Sequence, residues 1–454
     1  MRHNQKDYLY SILFLRPFLK KGGEPMNHNE QMAALYVGID VSARSNYYHA
    51  MDFFGKKHLS FQSLNNHPGT EDAVIRIIEA LAASGLSHLV IVMESTGFYS
   101  WHVANTFASH ERLIRYKPAV YCLNPKVIAN YKKSFVDMDK TDPLDAMVIA
   151  DYARIGRIDA APWRGGEYMP LQRLTRQRLH IVSNLSREKN YLLTNIFLKF
   201  SELAVMDQKD RPFSDIFGAT STAVLTEFLS SEEIAETSID ELVRFIVKSS
   251  RNRFADPDAT AAILQKAARD SYRLNKALAD PLNVAIAMSF DQIKFLEKQL
   301  KQIDKVIERT VRGLNDNHYI CLNSVKGIGL VFASGIIAEI GDIRKFDNQA
   351  ALAKYAGLTW RKTQSGKFSA QNTFLTKTGN RYLRYYLIEA VTKLIRFNPE
   401  YRQYYLKKYH EVTKFQHKRA LALTARKFVR LVFALLSKNQ LFSADLAACS
   451  LIAE

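Results

Sequence analysis

The sequence predicts an α/β domain at its amino end followed by an all-α remainder, and three observations predict it. Between residues 31 and 160, short apolar runs alternate with stretches of helical period. From Leu171 onward the apolar positions recur mainly at helical spacing. Positive charge then gathers toward the carboxyl end. Residues 341–440 hold 21 Lys and Arg against 5 Asp and Glu, a net of +16 out of the +18 carried by all 454 residues. A cationic segment interleaved with tyrosine and phenylalanine suits a polyanion, with nucleic acid the leading candidate.

Residues 1–30 read as a polar, disordered amino-terminal extension around the apolar patch Tyr8–Leu19. That patch is short, is broken by Arg16-Pro17 and lacks a small-residue cleavage site. It therefore fits neither a membrane span nor a secretory signal. Met26 stands just ahead of the first strand, as an internal start codon would. The three cysteines, Cys122, Cys321 and Cys449, lie far apart without metal-ligand spacing, which suggests a reducing, cytoplasmic setting.

The expected α/β domain spans 31–160. Leu35–Asp40 is a strand ending in an acid, and Tyr47–Phe54 and Lys57–Leu64 complete a meander through Phe54-Gly55-Lys56. Glu71–Ala83 is helical. Leu89–Met93 is a buried strand that also ends in an acid, Glu94, followed by Ser95-Thr96-Gly97. Trp101–Ala108 is helical, and Ala119–Leu123 is a strand closed by Asn124-Pro125. A further helix starts at Asp142-Pro143, read as an N-cap and a first-turn proline. Asp142 and Asp145, three apart, share nearly one side of that helix start. Taken singly, each acid has an ordinary role: Asp40 caps a turn, Glu94 opens the next helix, and the Asp pair faces a helix dipole. Jointly, two strand-end acids and a helical pair gather above the carboxyl ends of strands. Four carboxylates make an oxygen-donor site for two Mg²⁺ or Mn²⁺ ions, which suits phosphoryl chemistry.

Gly38-Ile39-Asp40-Val41-Ser42, Met93-Glu94-Ser95-Thr96-Gly97 and Lys140-Thr141-Asp142-Pro143-Leu144-Asp145-Ala146 resemble the DEDD motif set of the insertion-sequence 110 transposase family. The resemblance implies a RuvC-like domain of ribonuclease-H type. It also implies Asp40, Glu94, Asp142 and Asp145 as metal-binding catalytic acids. Asp137 and Asp139 compete by proximity, but the Lys-Thr-Asp-x-x-Asp-Ala spacing favours Asp142 and Asp145.

Residues 161–320 read as a helical linking region. Pro162-Trp163-Arg164-Gly165-Gly166 marks a linker and Leu171–Leu203 a long basic helix. Residues 207–222 read as a loop, and Ser221–Ser249 and Asp258–Leu278 as further helices. Leu282, Ile286, Ser289, Ile293, Leu296, Leu300, Ile303 and Ile307 step by four and three. Such a seam packs within its own chain or pairs subunits as a coiled coil. Pairing, from dimer to tetramer, is the expectation. Residues 205–280 carry no recognisable chemistry.

Residues 321–440 form the expected basic domain, with 441–454 as a tail. Lys326-Gly327-Ile328-Gly329 leads into the helix Leu330–Ile340. It either offers backbone N–H groups to a phosphate or simply turns into a buried helix. A helix over Asn348–Ala356 precedes the cationic loop Arg361-Lys362-Thr363-Gln364-Ser365-Gly366-Lys367, where Ser365 alone reads as an ordinary turn residue. Lys377, Arg381 and Arg384 flank a helix start and suit a nucleic-acid backbone. Basic amphipathic helices over Arg402–His410 and His417–Leu436 close the domain.

The glycine pair, Glu339–Phe346, Ala356-Gly357-Leu358, Ser365-Gly366, Lys377-Thr378-Gly379-Asn380 and Leu383-Arg384 are similar to the same family's carboxyl-terminal transposase domain. This resemblance implies Ser365 as a catalytic nucleophile. Ser369 is the alternative without a following glycine, and Trp360 departs from the family's usual proline. It further implies a site assembled from different subunits, donor and target DNA as substrates, and a structured bridge RNA that selects them. The expected function is therefore strand cleavage and rejoining by a bacterial, nucleoid-associated recombinase. Two other classes remain: a junction-resolving endonuclease using the acids alone, and an inactive nucleic-acid-binding copy.

Overall fold

The computed structural model describes residues 26–443, apart from 96, 136–138, 140, 157, 159–161, 164, 208, 361–363, 366, 367 and 370–374. At 364, 365, 368 and 369 it describes the backbone alone. The chain divides between Glu167 and Tyr168 into two units.

In the first unit, α1 (His28–Met32) is closed by an Asn27–Glu30 capping box, and Met26 beside it is 4% exposed. Residues 26–32, expected partly within the polar extension, thus fold onto the domain because Met26 fills an apolar gap. Residues 1–25 lie outside the described ones. β1 (Ala34–Val41), β2 (Ser45–Met51) and β3 (Lys57–Leu64) form the meander. Then follow α2 (His67–Ser84), β4 (His88–Glu94), α3 (Tyr99–Ser109), β5 (Ala119–Leu123), α4 (Pro125–Lys132) and α5 (Asp142–Arg154). The sheet order is β3-β2-β1-β4-β5; β1, β4 and β5 run parallel, and β2 antiparallel to both its neighbours.

Alternation along the strands sorts the core into two layers. Leu35, Val37 and Ile39 of β1, with Leu89, Ile91 and Met93 of β4, pack under Val74 and Ile77 of α2 and Phe107 of α3. On the other face, Tyr36, Val90, Val92, Tyr121 and Leu123 meet Ile128 of α4 and Val148 and Ile149 of α5. Gly38 lets α5 lie directly on β1. A Cβ there would come within 2.2 Å of the Ala146 carbonyl oxygen and 2.4 Å of the Ala150 nitrogen.

Among its described residues, the second unit is helical apart from a short hairpin. α6 (Met169–Lys199) runs antiparallel to the long α12 (Lys276–Asn323), stapled by Arg178–Asp304 at 2.6 Å and Lys189–Glu297 at 3.0 Å. Asn315 breaks helical geometry inside α12, at φ −161° and ψ 82°, and its Oδ1 accepts the His318 N–H beyond the kink. Between α6 and α12 lie α7 (Ser201–Val205), α8 (Ala219–Glu227), α9 (Ser231–Glu236), α10 (Ile239–Ser250) and α11 (Pro257–Asp270). The single helix expected over Ser221–Ser249 is therefore three, since Ser230 and Ser238 each cap a new start.

The seam expected to join subunits is occupied within the chain. Ile286, Ser289, Ile293, Leu296 and Ile307 are all buried, and the helix that packs most extensively on α12 is α6. The repeat signals a helix pair, and here the partner helix is the chain's own.

The remaining elements are α13 (Leu330–Ile340), α14 (Gln349–Ala356), β6 (Gln364–Ser365), β7 (Phe368–Ser369), α15 (Arg381–Phe397), α16 (Pro399–His410) and α17 (Gln416–Lys438). They enclose an apolar core that includes Ile336, Leu387, Phe428 and Val432. Among the described residues, no helix is long and apolar enough to cross a membrane.

Candidate active site at the carboxyl edge of the sheet

Parallel pairing sets Ile39 opposite Met93, so Asp40 and Glu94 come next on neighbouring strands. Both fall on the face that carries Tyr36 and Val92, under α5. α5 supplies the other two acids from its first turn. The cap sits one residue earlier than expected. Thr141 is the N-cap residue, without a side-chain cap bond, and Asp142 is the first helical residue. The Asp142 carboxylate does not cap the helix and is exposed, whereas Asp145 is partly buried.

The ordinary roles of the strand acids also fail. The turn after β1 is closed by Ser42, whose hydroxyl donates to the Ser45 carbonyl at 2.5 Å. The helix after β4 begins at Tyr99, behind Phe98, with no side-chain cap. Asp40, Glu94 and Asp142 accept no hydrogen bond from the described residues.

Electrostatics shows that the four acids share one environment. Burial pushes the Asp40 carboxyl up, and the charges of Asp145 and Asp142 push it further, against Lys132. Burial likewise raises Glu94 to about 7, reinforced by Asp40 and Asp145 and again opposed by Lys132. The Lys132 ammonium, at the end of α4, donates directly to Asp145 Oδ1. Among the described residues, no three His, Cys, Asp or Glu side chains are drawn tightly enough together to form a finished metal shell. Asp137 lies outside the described residues, and Asp139 is exposed.

Two contributors escaped sequence reasoning. Lys132 is half of an ordinary Lys132-Lys133 pair, and no spacing rule connects it to Asp145 thirteen residues on. Gly38 did leave a signal, since glycine inside an apolar strand marks a close backbone approach.

The second unit presents the remaining candidates. Gly327 has φ +98°, and a Cβ there would lie 2.9 Å from the Phe397 ring, so packing requires this glycine. Gly329 is the exposed N-cap of α13 with open space around it, and the exposed Lys326 lies over the Phe397 ring at 5.7 Å. Ser365 stands in β6, paired with Phe368 of β7, and Ser369 pairs with Gln364. Their side chains lie outside the described residues, as do Arg361, Lys362 and Lys367. The hairpin's base is closed by the Trp360–Leu375 bridge and by Thr359 and Thr376, whose hydroxyls are 3.0 Å apart. Lys377 and Arg381 are exposed. Arg384 is committed differently: Nη1 donates to the Ala356 carbonyl at 3.1 Å and the Lys377 carbonyl at 3.2 Å. It pins the approach to α15.

Glu339 on α13 is 1% exposed and receives Arg176 through two bonds of 2.8 Å, Gln172 at 3.2 Å and Asn380 at 2.7 Å. Asn380 also caps α15 through the Tyr382 and Leu383 amides. The buried acid thereby joins α6 and α13 to the segment that follows the hairpin.

Clustered acids at a sheet edge and a basic helical unit suit an enzyme that acts on nucleic-acid phosphates, and the comparisons supply the class. A transposase family model matches residues 37–199, and a second, the Transposase IS116/IS110/IS902 family, matches residues 320–406. The Insertion element IS116 uncharacterized 44.8 kDa protein of Streptomyces clavuligerus is 26% identical, over 90% of this chain and 96% of its own. The Insertion element IS110 uncharacterized 43.6 kDa protein of Streptomyces coelicolor is 24% identical, over 91% of this chain and 96% of its own. A Probable family 20 transposase of Pseudomonas aeruginosa is 29% identical, over 26% of this chain and 34% of its own. The chain carries two IS110-family transposase domains, and it is a transposase.

Proposed function

We propose that this transposase cuts and rejoins DNA with two sets of groups: the acids Asp40, Glu94, Asp142 and Asp145 on a RuvC-like domain, and the hydroxyl of Ser365. The observation that carries the reading is the placement of Asp40 and Glu94 on one face, at the carboxyl ends of adjacent parallel strands, beneath the first turn of α5. The donor set fits a hard divalent cation. All four groups are carboxylates, two are driven up by burial and then by their neighbours, and one is already paired with an ammonium. Asp40, Glu94, Asp142 and Asp145 would hold Mg²⁺ or Mn²⁺, which when bound supplies charge stabilisation at the scissile phosphate.

The chain's own groups do the rest. The exposed Lys377 and Arg381 and the N-terminus of α13 bind phosphates of the DNA backbone. The Ser365 oxygen forms a bond to phosphorus while the bond to the leaving deoxyribose oxygen breaks. The serine proton is lost and the leaving oxygen gains one. The resulting phosphoserine conserves the bond energy, and attack by the incoming strand end reverses these changes to rejoin DNA. The family resemblance further supports sites shared between subunits of an oligomer, and selection of donor and target DNA by a structured bridge RNA.

The test is recombination in cells on a plasmid carrying the element ends. Ser365→Ala is expected to abolish recombination and the covalent protein–DNA adduct, and Asp40→Ala to do the same. Full cleavage by Ser365→Ala would sink the serine step, while unchanged recombination by Asp40→Ala would sink the metal site. Sequencing of nucleic acid bound to the purified protein tests the guide: absence of a transcript from the element's own flank would remove it.

A further inference from the structure

α4 ends where the acidic face begins, and its last residue, Lys132, reaches across to Asp145 on α5. Their side chains are 24% and 27% exposed, so water screens this pair only in part. The same ammonium offsets negative charge on Asp40 and on Glu94, although these acids come from two different strands. One lysine thus faces three of the four acids and donates to one of them.

We propose that Lys132 is the resident counter-ion of the acidic face and competes with a divalent cation for Asp145. The inference rests on the metal-binding role proposed above for the four acids. Its physical basis is simple. A carboxylate that accepts an ammonium hydrogen is already partly charge-compensated, and two cations crowded against one carboxylate repel. The ammonium therefore weakens the pull of Asp145 on a second cation. In the metal-free protein the lysine holds α4 against α5 and keeps the acids from repelling one another. Lys132 acts through Asp145, as a positioning residue that sets metal affinity.

The test uses the full-length protein and Mn²⁺ as the probe, followed by titration calorimetry and by the electron paramagnetic resonance signal of free Mn²⁺. Lys132→Met keeps the apolar stem and removes the ammonium. Lys133→Met removes the same charge from the exposed neighbour and serves as the matched control. Lys132→Met is expected to bind Mn²⁺ about tenfold more tightly than wild type, and Lys133→Met to stay within about twofold of it, as a screened charge should. Lys132→Met should also have a lower melting temperature than wild type without metal and gain more from added Mn²⁺. Equal or weaker Mn²⁺ binding by Lys132→Met, with wild type binding normally, would overturn the competition and leave the metal site standing. If Lys132→Met tightens binding no more than Lys133→Met, the effect is general charge and the proposal also fails. Folded wild type and Lys132→Met that both ignore Mn²⁺ would overturn the metal reading itself, and this inference with it.

Discussion

Lys199 shows what a single buried charge does in this protein. It is 4% exposed, and Nζ donates to the Leu225 and Phe228 carbonyls and to Asn283 Oδ1, at 2.9, 2.6 and 2.6 Å. Burial pulls its pKa from 10.5 down to about 8, with Glu233 opposing. Between those values the unfolded chain keeps a proton that the folded chain has released, so this group's contribution to stability rises as pH climbs from about 8 to 10.5. Chemical denaturation of wild type against Lys199→Met across that window should show the wild type gaining on the variant by about 3 kcal/mol. A constant difference would mean that the three acceptors keep the lysine at its ordinary pKa. Legibility at this scale follows locality. Asp40 and Glu94 were readable because each ends an apolar strand, and Asp142 and Asp145 because their spacing is helical. Lys132 and Lys199 were not, since their partners are fixed by packing between segments.

Among elements, α5 and α13 bear the most on the candidate sites. α5 rests on Gly38, and Gly38→Ala would drive a methyl into the Ala146 carbonyl. The expected result is a loss of about 3 kcal/mol or more in thermal unfolding, with recombination abolished as Asp142 and Asp145 lift away. α13 holds Glu339 against Arg176 and Asn380, and Glu339→Ala would leave a half-buried guanidinium without its carboxylate. A loss of about 3–5 kcal/mol is expected in urea unfolding, with Glu339→Gln intermediate. The sequence located α13 to the residue, because its apolar run is bounded by Gly329 and Gly341. It placed the start of α5 one residue out, because Thr141 and Asp142 are both acceptable cap residues and only backbone geometry separates them.

At the scale of the whole chain, the α6–α12 pair covers much of the heptad seam from within. Ile293 lies 2% exposed in that seam. Ile293→Asp buries an unpaired charge and should lower the melting temperature and helical circular dichroism together. If light scattering showed only a smaller particle with unchanged helicity, the seam would be an interface between subunits. Periodicity specifies that a helix has an apolar stripe, and it says nothing about whose helix covers it. The order of an α/β unit before a helical one was plain, because the period changes between them. Covering by the same chain was hidden, because α6 and α12 are separated by a whole helical subdomain.

That subdomain has a consequence of its own. The chain leaves the end of α6 and re-enters near the start of α12 at one place, where Lys199 Nζ and Asn283 Oδ1 stand 2.6 Å apart. A segment whose ends already meet is a cassette. Closing its loop costs little more when it is long than when it is short. Its length can therefore change at little entropic cost to the helices that carry it, provided the residues that pack on those helices remain.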